Sequence, residues 1–436
     1  MISKITERIR QNEKWINLAY YLIYAALFFS ALVGTTEFMQ WTYVPHIRNM
    51  VYMGATAVML LLWVLSLALQ SDFRINAAKT LILAIGILQF IFGGGSSLIL
   101  ILTILIGATD RKSADIILKE SLIIGLLVLC VTYLASMKGY ITYSLSSDGR
   151  HTFGFIFYSH FSDKILYLYM IYRCIRHKRV SMVGYALTLV IVHLNYRYTY
   201  ARTVTICLML YSFLCAIYDD WRWKREGKKS GEMKRYGADY YAGYIDTKDV
   251  LKTSGTATSI ENKRNNSDGF RKRLTVFMAV LASGAYIWAA FLSIAGIWVY
   301  RLLTNYNRFI IPDYLQTFMN RLFFNSRALE EYGITAFGQK VFELTNMSNG
   351  NNAISNNFYL ENSYKRLFVI TGAVTFVFFI VYMTILMWKT FKENRFYLFS
   401  ALLVAAVGGL SETYTINFYY NVFLILAFSN LGDMGK

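Results

Sequence analysis

Residues 49–70 read NMVYMGATAVMLLLWVLSLALQ, an apolar stretch without a charged side chain. About 20 such residues in helical conformation cross the hydrocarbon core of a bilayer. Comparable stretches recur along the chain and predict spans at 15–35, 49–70, 77–93, 95–108, 118–136, 162–178, 180–195, 202–219, 273–299, 366–388, 396–410 and 414–430. The pattern predicts an all-α, polytopic integral membrane protein of about twelve transmembrane helices, with residues 1–436 as one membrane domain. The pair of spans around 93–95, a Gly-Gly-Gly sequence, is either one broken helix or a tight hairpin.

The composition supports a membrane protein. Of the 436 residues, 56% are hydrophobic and 16% are charged, whereas a soluble domain has about 25% charged residues. The formal net charge of +18 indicates an anionic partner, and beside so many apolar runs that partner is membrane lipid rather than nucleic acid. A basic stretch before the first span has no small-residue cleavage site after it, which predicts a retained first helix.

The distribution of Lys and Arg predicts the orientation. The segments 1–14, 71–76, 109–117, 173–180, 220–272 and 389–395 are basic, so the positive-inside rule predicts that they and both termini are cytoplasmic. The longest of them, 219–272, is rich in Ser, Thr, Gly and Asn and is predicted to be largely disordered. On the other side, residues 300–366 form one large extracytoplasmic loop, in which we expect short amphipathic helices, including one at 314–327.

Arginine is more frequent in the outer loops than the positive-inside rule predicts. The guanidinium fork binds phosphate and carboxylate with two parallel hydrogen bonds. As a group, these side chains favour a site for an anionic ligand; the alternative is pairing with nearby Glu side chains or lipid phosphate. The outer arginines are Arg150, Arg197, Arg202, Arg301, Arg308, Arg321, Arg327 and Arg366.

Three further outer side chains can carry chemistry. His151 and His160 can take up a proton or bind phosphate, and their spacing does not match a metal site. Glu412 lies between two predicted spans, where a carboxylate can serve as a general base or as a structural tie to an arginine. Arg202 is predicted at the outer interface, where a charged side chain either faces a wet cavity or extends to the headgroups.

Four short motifs in these loops resemble those of one protein family. Arg150, Gly154 and Phe155 are similar to an Arg-x-x-x-Gly-Phe element of the Wzy-type polysaccharide repeat-unit polymerases, in the O-antigen polymerase and ligase group of membrane glycosyltransferases. Residues 201–203, Ala-Arg-Thr, resemble a Ser-Arg-Thr sequence that opens a family helix, and Arg327 with Gly338 fits an Arg-x10-Gly pattern. Residues 356–360, Asn-Asn-Phe-Tyr-Leu, are similar to an Asp-Asn-x-Tyr-Leu or His-Asn-x-Tyr-Leu element.

The resemblance implies a GT-C-like fold and glycosyl transfer on the outer side of a bacterial cytoplasmic membrane, without metal or cofactor. The substrates would be undecaprenyl-pyrophosphate-linked oligosaccharides, and a chain-length regulator and a flippase would be further partners. Asn356 replaces the acidic residue or His of the family element; if that residue is the family's catalytic base, the base of this chain has to lie elsewhere. We take His151 and Glu412 as candidates for it. By hypothesis, the contacts to the pyrophosphate and the rest of the substrate are Arg150, Arg202, Arg321, Arg327, His160, Asn357 and Tyr359.

Three other functions remain open. A ligase of the same group would move the glycan to a different acceptor. A flippase or other transporter of lipid-linked oligosaccharides would bind the same pyrophosphate, although such proteins usually have two repeated halves and short loops. A structural or receptor protein would use the basic segment 219–272.

Overall fold

The computed structural model describes residues 13–93, 97–145, 149–176, 180–242, 280–305, 327–341, 360 and 362–432. The described part is helical, with isolated bridges and no extended strand. The main helices are α1 Glu13–Val33, α2 Val44–Leu69, α3 Phe73–Phe92, α4 Ser97–Ala108, α5 Ala114–Met137, α6 Tyr158–Ile175, α7 Met182–Thr199, α8 Arg202–Ala242, α9 Ala285–Asn305, α10 Ala373–Lys392 and α11 Phe396–Gly408.

Local sequence explains several helix boundaries. The carboxylate of Asp72 accepts a hydrogen bond from the N–H of Arg74 at 2.8 Å, and α3 begins there. The hydroxyl of Ser181 accepts one from the N–H of Gly184 at 3.2 Å, and α7 begins there. Helices α3 and α4 pack against each other, so the hairpin rather than the broken helix is correct for the pair around 93–95.

Five helices in the described residues are long and apolar enough to cross a membrane. They are Glu13–Val33, Val44–Leu69, Phe73–Phe92, Arg202–Trp223 and Ala373–Lys392, and shorter apolar helices occur at Ser97–Ala108, Ala285–Trp298 and Phe396–Gly408. The chain is therefore a helical protein with membrane-spanning character, and the number of twelve spans is not confirmed. One end of the bundle carries the C-termini of α1, α5, α7 and α11; we call it the predicted outer end.

The helices share one apolar core, which includes residues from all eleven of them. Helix α4 lies deepest, with nearly every side chain from Ile99 to Ala108 buried. A helix that is apolar on all sides is typical of the core of a large protein or of a membrane span. The helices at the periphery of the bundle expose apolar side chains such as Leu61, Ile123 and Phe291, as expected of surfaces that face lipid.

The twelfth predicted span, 414–430, is not a helix. It consists of turns and two short 3₁₀ turns, Tyr414–Ile416 and Val422–Ile425, and it is almost fully buried. Side chains of other elements satisfy its carbonyl groups: Thr109 Oγ1 donates to Ile425 O at 2.8 Å, and Lys389 Nζ donates to Ala427 O at 2.8 Å. Irregular backbone is tolerated at membrane depth where protein groups replace the helical hydrogen bonds.

Two predicted boundaries also differ from the structure. The apolar part of α8 spans Arg202–Trp223, close to the predicted span 202–219, but the helix continues to Ala242, so residues 220–242 of the segment predicted to be largely disordered are helical. The part of that segment after 242 lies outside the described residues. Helix α9 continues to Asn305, so the helix extends into the predicted 300–366 loop. The predicted helix at 314–327 lies almost entirely outside the described residues, as do Arg321, Asn357 and Tyr359.

Candidate functional site

Two carboxylates line one small cavity at the predicted outer end. Asp163 lies in the second turn of α6, and Glu412 lies in the loop after α11; both line the cavity together with Thr203, Tyr414 and Thr415. The cavity volume is about 10 Å³, about the space that one water molecule needs. Asp163 is buried, and its Oδ2 has no hydrogen-bond partner among the described residues. Glu412 is half-buried and so is the more accessible of the two.

Lys164 follows Asp163 in α6 and does not itself line the cavity. Its buried ammonium group donates to Thr35 Oγ1 at 2.8 Å and to the hydroxyl of Tyr420 at 3.2 Å. It also lies 4.3 Å from the ring centroid of Tyr420. A buried cation with these partners is held in one position, so Lys164 joins the α1–α2 connection to the irregular segment 414–430.

His160 is buried next to the Lys164 contacts and is not exposed to solvent. Its buried ring meets the ring of Tyr414 edge-on, with the centroids 5.1 Å apart. Its Nδ1 lies 3.4 Å from the carbonyl oxygen of Thr35. The hydroxyl groups of Ser159 and Tyr414 are hydrogen-bonded at 3.0 Å. His160 therefore orients Tyr414, which lines the cavity.

The turn 149–157 covers this end of the bundle. The N–H of Glu37 donates to Gly154 O at 2.8 Å, and the N–H of Ile156 donates to Thr35 O at 3.1 Å. Gly154 has φ +81°, and a Cβ there would lie 2.8 Å from the Cβ of Ser136. The glycine of the Arg-x-x-x-Gly-Phe element thus has a structural reason: it allows the turn to approach α5 closely.

Arg150 and His151, adjacent in sequence, have different surroundings. The guanidinium of Arg150 donates to the hydroxyl of Tyr158 and lies 4.5 Å from the centroid of its ring. The Nδ1 of His151 is hydrogen-bonded to the hydroxyl of Tyr143, and its ring stacks on Phe153 at 5.5 Å. Neither Arg150 nor His151 is among the described residues that line the carboxylate cavity.

Two cations lie beside the 408–412 loop. Arg202 is the exposed first residue of α8, and the next residue, Thr203, is hydrogen-bonded to Ser411 Oγ at 2.7 Å. Lys365 is 3% exposed, in the short helix Ser363–Arg366, which Asn362 links to Leu410 O at 2.6 Å. Burial lowers the pKa of Lys365 to about 8. Among the described residues Lys365 has no ion-pair partner, and an anionic ligand would offset the cost of burying its charge.

The Arg-x10-Gly pair lies apart from this cavity. Arg327 forms an exposed ion pair with Glu331, at 2.5 Å, and an ion pair of this kind has little influence on stability. Gly338 lies against the backbone of Ile370 and Thr371. The helical segment that begins at Ser363 ends at Thr371, just before α10 begins. The N–H of Gln339 donates to Ile370 O at 3.0 Å, and the N–H of Ala373 donates to Thr335 O at 2.9 Å. Segment 335–339 thus satisfies backbone groups that the helix break leaves free.

We predict that Gly338→Ala weakens this docking. Gly338 has φ +97°, and a Cβ would lie 2.2 Å from Ile370 O. Gly333→Ala is the matched control, because Gly333 also has a positive φ, +68°, but open space around it. We expect Gly338→Ala to lower stability by about 1–3 kcal/mol more than the control, measured by thermal unfolding and by proteolysis near 333–341. Equal effects of both substitutions would contradict the close approach.

The sequence reasoning missed Asp163, Lys164 and Lys365 as site residues. A signal existed for the first two, because adjacent charged residues lie inside the predicted span 162–178, and ionisable groups at membrane depth are usually functional or paired. For Lys365 no local signal exists, since its burial depends on α9 and on the 408–412 loop.

Comparison with known proteins gives no relative: no family model matches the chain, and neither a curated protein nor a solved structure is significantly similar to it.

Proposed function

We propose that this chain is a membrane glycosyltransferase that polymerises undecaprenyl-pyrophosphate-linked oligosaccharide repeat units. The product would be a capsular, exopolysaccharide or O-antigen chain on the outer side of a bacterial cytoplasmic membrane. The observation that carries the proposal is the cavity shared by Asp163 and Glu412, with Arg202 and Lys365 beside the same loop. Carboxylates suit proton transfer, and cations suit a pyrophosphate.

The proposed reaction is a substitution at the anomeric carbon of the donor. The acceptor's hydroxyl oxygen forms the new bond to that carbon, and the bond from the carbon to the pyrophosphate oxygen breaks, with its electron pair remaining on the pyrophosphate. The hydroxyl proton passes to Glu412, the more accessible carboxylate. Negative charge grows on the leaving pyrophosphate, and Arg202 and Lys365 lower the energy of the transition state by attracting it.

A transfer assay tests the proposal directly. Purified full-length protein in lipid is given synthetic undecaprenyl-pyrophosphate repeat units, and the products are separated by size. We expect a ladder of lengthened glycans. Absence of a ladder, together with movement of the lipid-linked sugar across the bilayer of sealed vesicles, would overturn the proposal in favour of a flippase. A single transfer to an acceptor without the polyprenyl chain would identify a ligase.

The rate of transfer should fall as the pH rises through about 8. Lys365 has a pKa lowered to about 8 by burial, so its ammonium group loses its proton there and no longer attracts the pyrophosphate. Arginine keeps its proton up to about pH 12, so Lys365→Arg should lose this fall in rate while Lys365→Met should be slow throughout. The rate is measured between about pH 7 and pH 10. An unchanged pH profile in Lys365→Arg would exclude this role of Lys365.

A further inference from the structure

A second, larger cavity opens at the predicted outer end, between the α1–α2 connection and the end of α5. Its volume is about 360 Å³, within the range of about 300–1,000 Å³ typical of small-molecule sites. The residues that line it are Glu37, Gln40, Trp41, Ser136, Gly139, Tyr140, Ile141, Thr142 and Tyr143. None of them belongs to the carboxylate cavity.

The lining presents aromatic rings and hydrogen-bonding groups together. Trp41, Tyr140 and Tyr143 are 49%, 68% and 39% exposed, so their rings are available to a ligand. The ring of Phe38 meets Trp41 edge-on, with the centroids 5.2 Å apart, and so holds the indole in place. Aromatic faces carry partial negative charge and attract the C–H groups on the face of a sugar ring.

A chain of side-chain hydrogen bonds orients the polar part of the lining. Thr142 Oγ1 donates to Gln40 Oε1 at 3.0 Å, and Gln40 Nε2 donates to a carboxylate oxygen of Glu37. A carboxylate can accept about four hydrogen bonds, so Glu37 retains acceptor capacity for ligand hydroxyl groups. Groups fixed in advance in this way bind with a smaller loss of entropy.

The charge of the lining selects against phosphate. Among the described residues that line the cavity there is no Lys or Arg, and Glu37 carries the only carboxylate. The described lining therefore offers no cation to an anionic headgroup or pyrophosphate, whereas a neutral ligand with many hydroxyl groups would find both aromatic faces and acceptors.

We propose that this cavity is a binding subsite for neutral sugar residues of an oligosaccharide. The turn 149–157 is hydrogen-bonded to the connection that lines this cavity, through Glu37 N–H to Gly154 O and Ile156 N–H to Thr35 O, and it leads directly into α6, which carries Asp163. The subsite and the carboxylate cavity therefore lie at the same end of the bundle, and under the proposed function the subsite would hold the acceptor glycan. Its assignment to the acceptor rests on the proposed function, whereas binding of a neutral oligosaccharide does not.

The test uses the full-length protein in lipid nanodiscs and an array of lipid-free, dephosphorylated oligosaccharides from bacterial surface polysaccharides. We expect the wild type to bind at least one neutral oligosaccharide. Trp41→Ala and Glu37→Gln should each weaken binding by about 10-fold or more, which corresponds to about 1.4 kcal/mol. Tyr43→Ala is the matched control, because Tyr43 is an aromatic residue close by that is 76% exposed and does not line the cavity.

Three outcomes separate this proposal from the proposed function. Binding that Trp41→Ala and Glu37→Gln abolish, without any polymer in the transfer assay, would support the subsite and remove the polymerase. Polymer formation with an unchanged KM for the acceptor in both variants would support the polymerase and remove the subsite. Absence of binding to every array member, or equal binding in wild type and both variants, would overturn the subsite and leave Trp41 as an interfacial membrane anchor.

Discussion

Glu412→Gln should lower the rate of glycosyl transfer by about 10²–10⁴-fold, the usual contribution of a positioned general base. Glutamine has nearly the same shape as glutamate but cannot take up the proton of the acceptor hydroxyl. The half-buried position of Glu412 on the cavity means that the substitution removes a charge without opening a void. The rate is measured under single-turnover conditions with synthetic lipid-linked substrates.

The same assay separates the two candidate bases. His151 is hydrogen-bonded to Tyr143 and stacked on Phe153, so His151→Gln should have a smaller effect than Glu412→Gln. Glu393→Gln is the control for loss of a carboxylate, since Glu393 is exposed and follows α10 at the opposite end of the bundle. A large loss in His151→Gln with near-normal transfer in Glu412→Gln would reverse the assignment.

Asp219→Ala should destabilise the protein by about 3–5 kcal/mol, because removal of one partner leaves a buried charge uncompensated. Asp219 Oδ2 accepts from Arg173 Nη2 at 3.0 Å, from the hydroxyl of Tyr185 at 2.9 Å and from the N–H of Val180 at 3.2 Å. The other oxygen accepts from the hydroxyl of Tyr397. One carboxylate therefore connects α6, α7, α8 and α11 at the end of the bundle opposite the candidate site.

Thermal unfolding in detergent, followed by loss of helical signal, measures this effect. Asp220→Ala is the matched control, because Asp220 is the exposed neighbour in the same helix, and its replacement should change stability by less than about 0.5 kcal/mol. The double variant Arg173→Met with Asp219→Leu should recover part of the loss, since replacing both charges by apolar groups is often neutral. An unfolding midpoint for Asp219→Ala that equals the wild-type value would contradict a stabilising role for the Asp219 carboxylate.

The sequence predicted part of the candidate site. Arg202 and Glu412 could be selected because charged residues next to apolar spans are unusual, and both lie beside the cavity region. The family resemblance and the chemistry of imidazole point to Arg150, His151 and His160, yet the structure places Arg150 on Tyr158 and His151 in an aromatic cluster. The partners of Arg150 and His151 are two to eight positions away in the sequence, but the turn 149–157 that brings them together is held by backbone bonds to Thr35 and Glu37, which a local motif does not record.

The sequence by itself determined the helical, membrane-spanning character of the chain. Apolar length and the scarcity of charge decide that property locally, because a helix in lipid satisfies its own backbone. Tertiary structure decided that 414–430 is irregular, although its Phe, Leu and Ile content predicts a span. Its carbonyl groups accept from Thr109 and Lys389, so hydrogen bonds from distant residues replace the helical ones. Tertiary structure also brings Asp163 and Glu412 to one cavity, because α6 and the loop after α11 are adjacent only in the folded bundle.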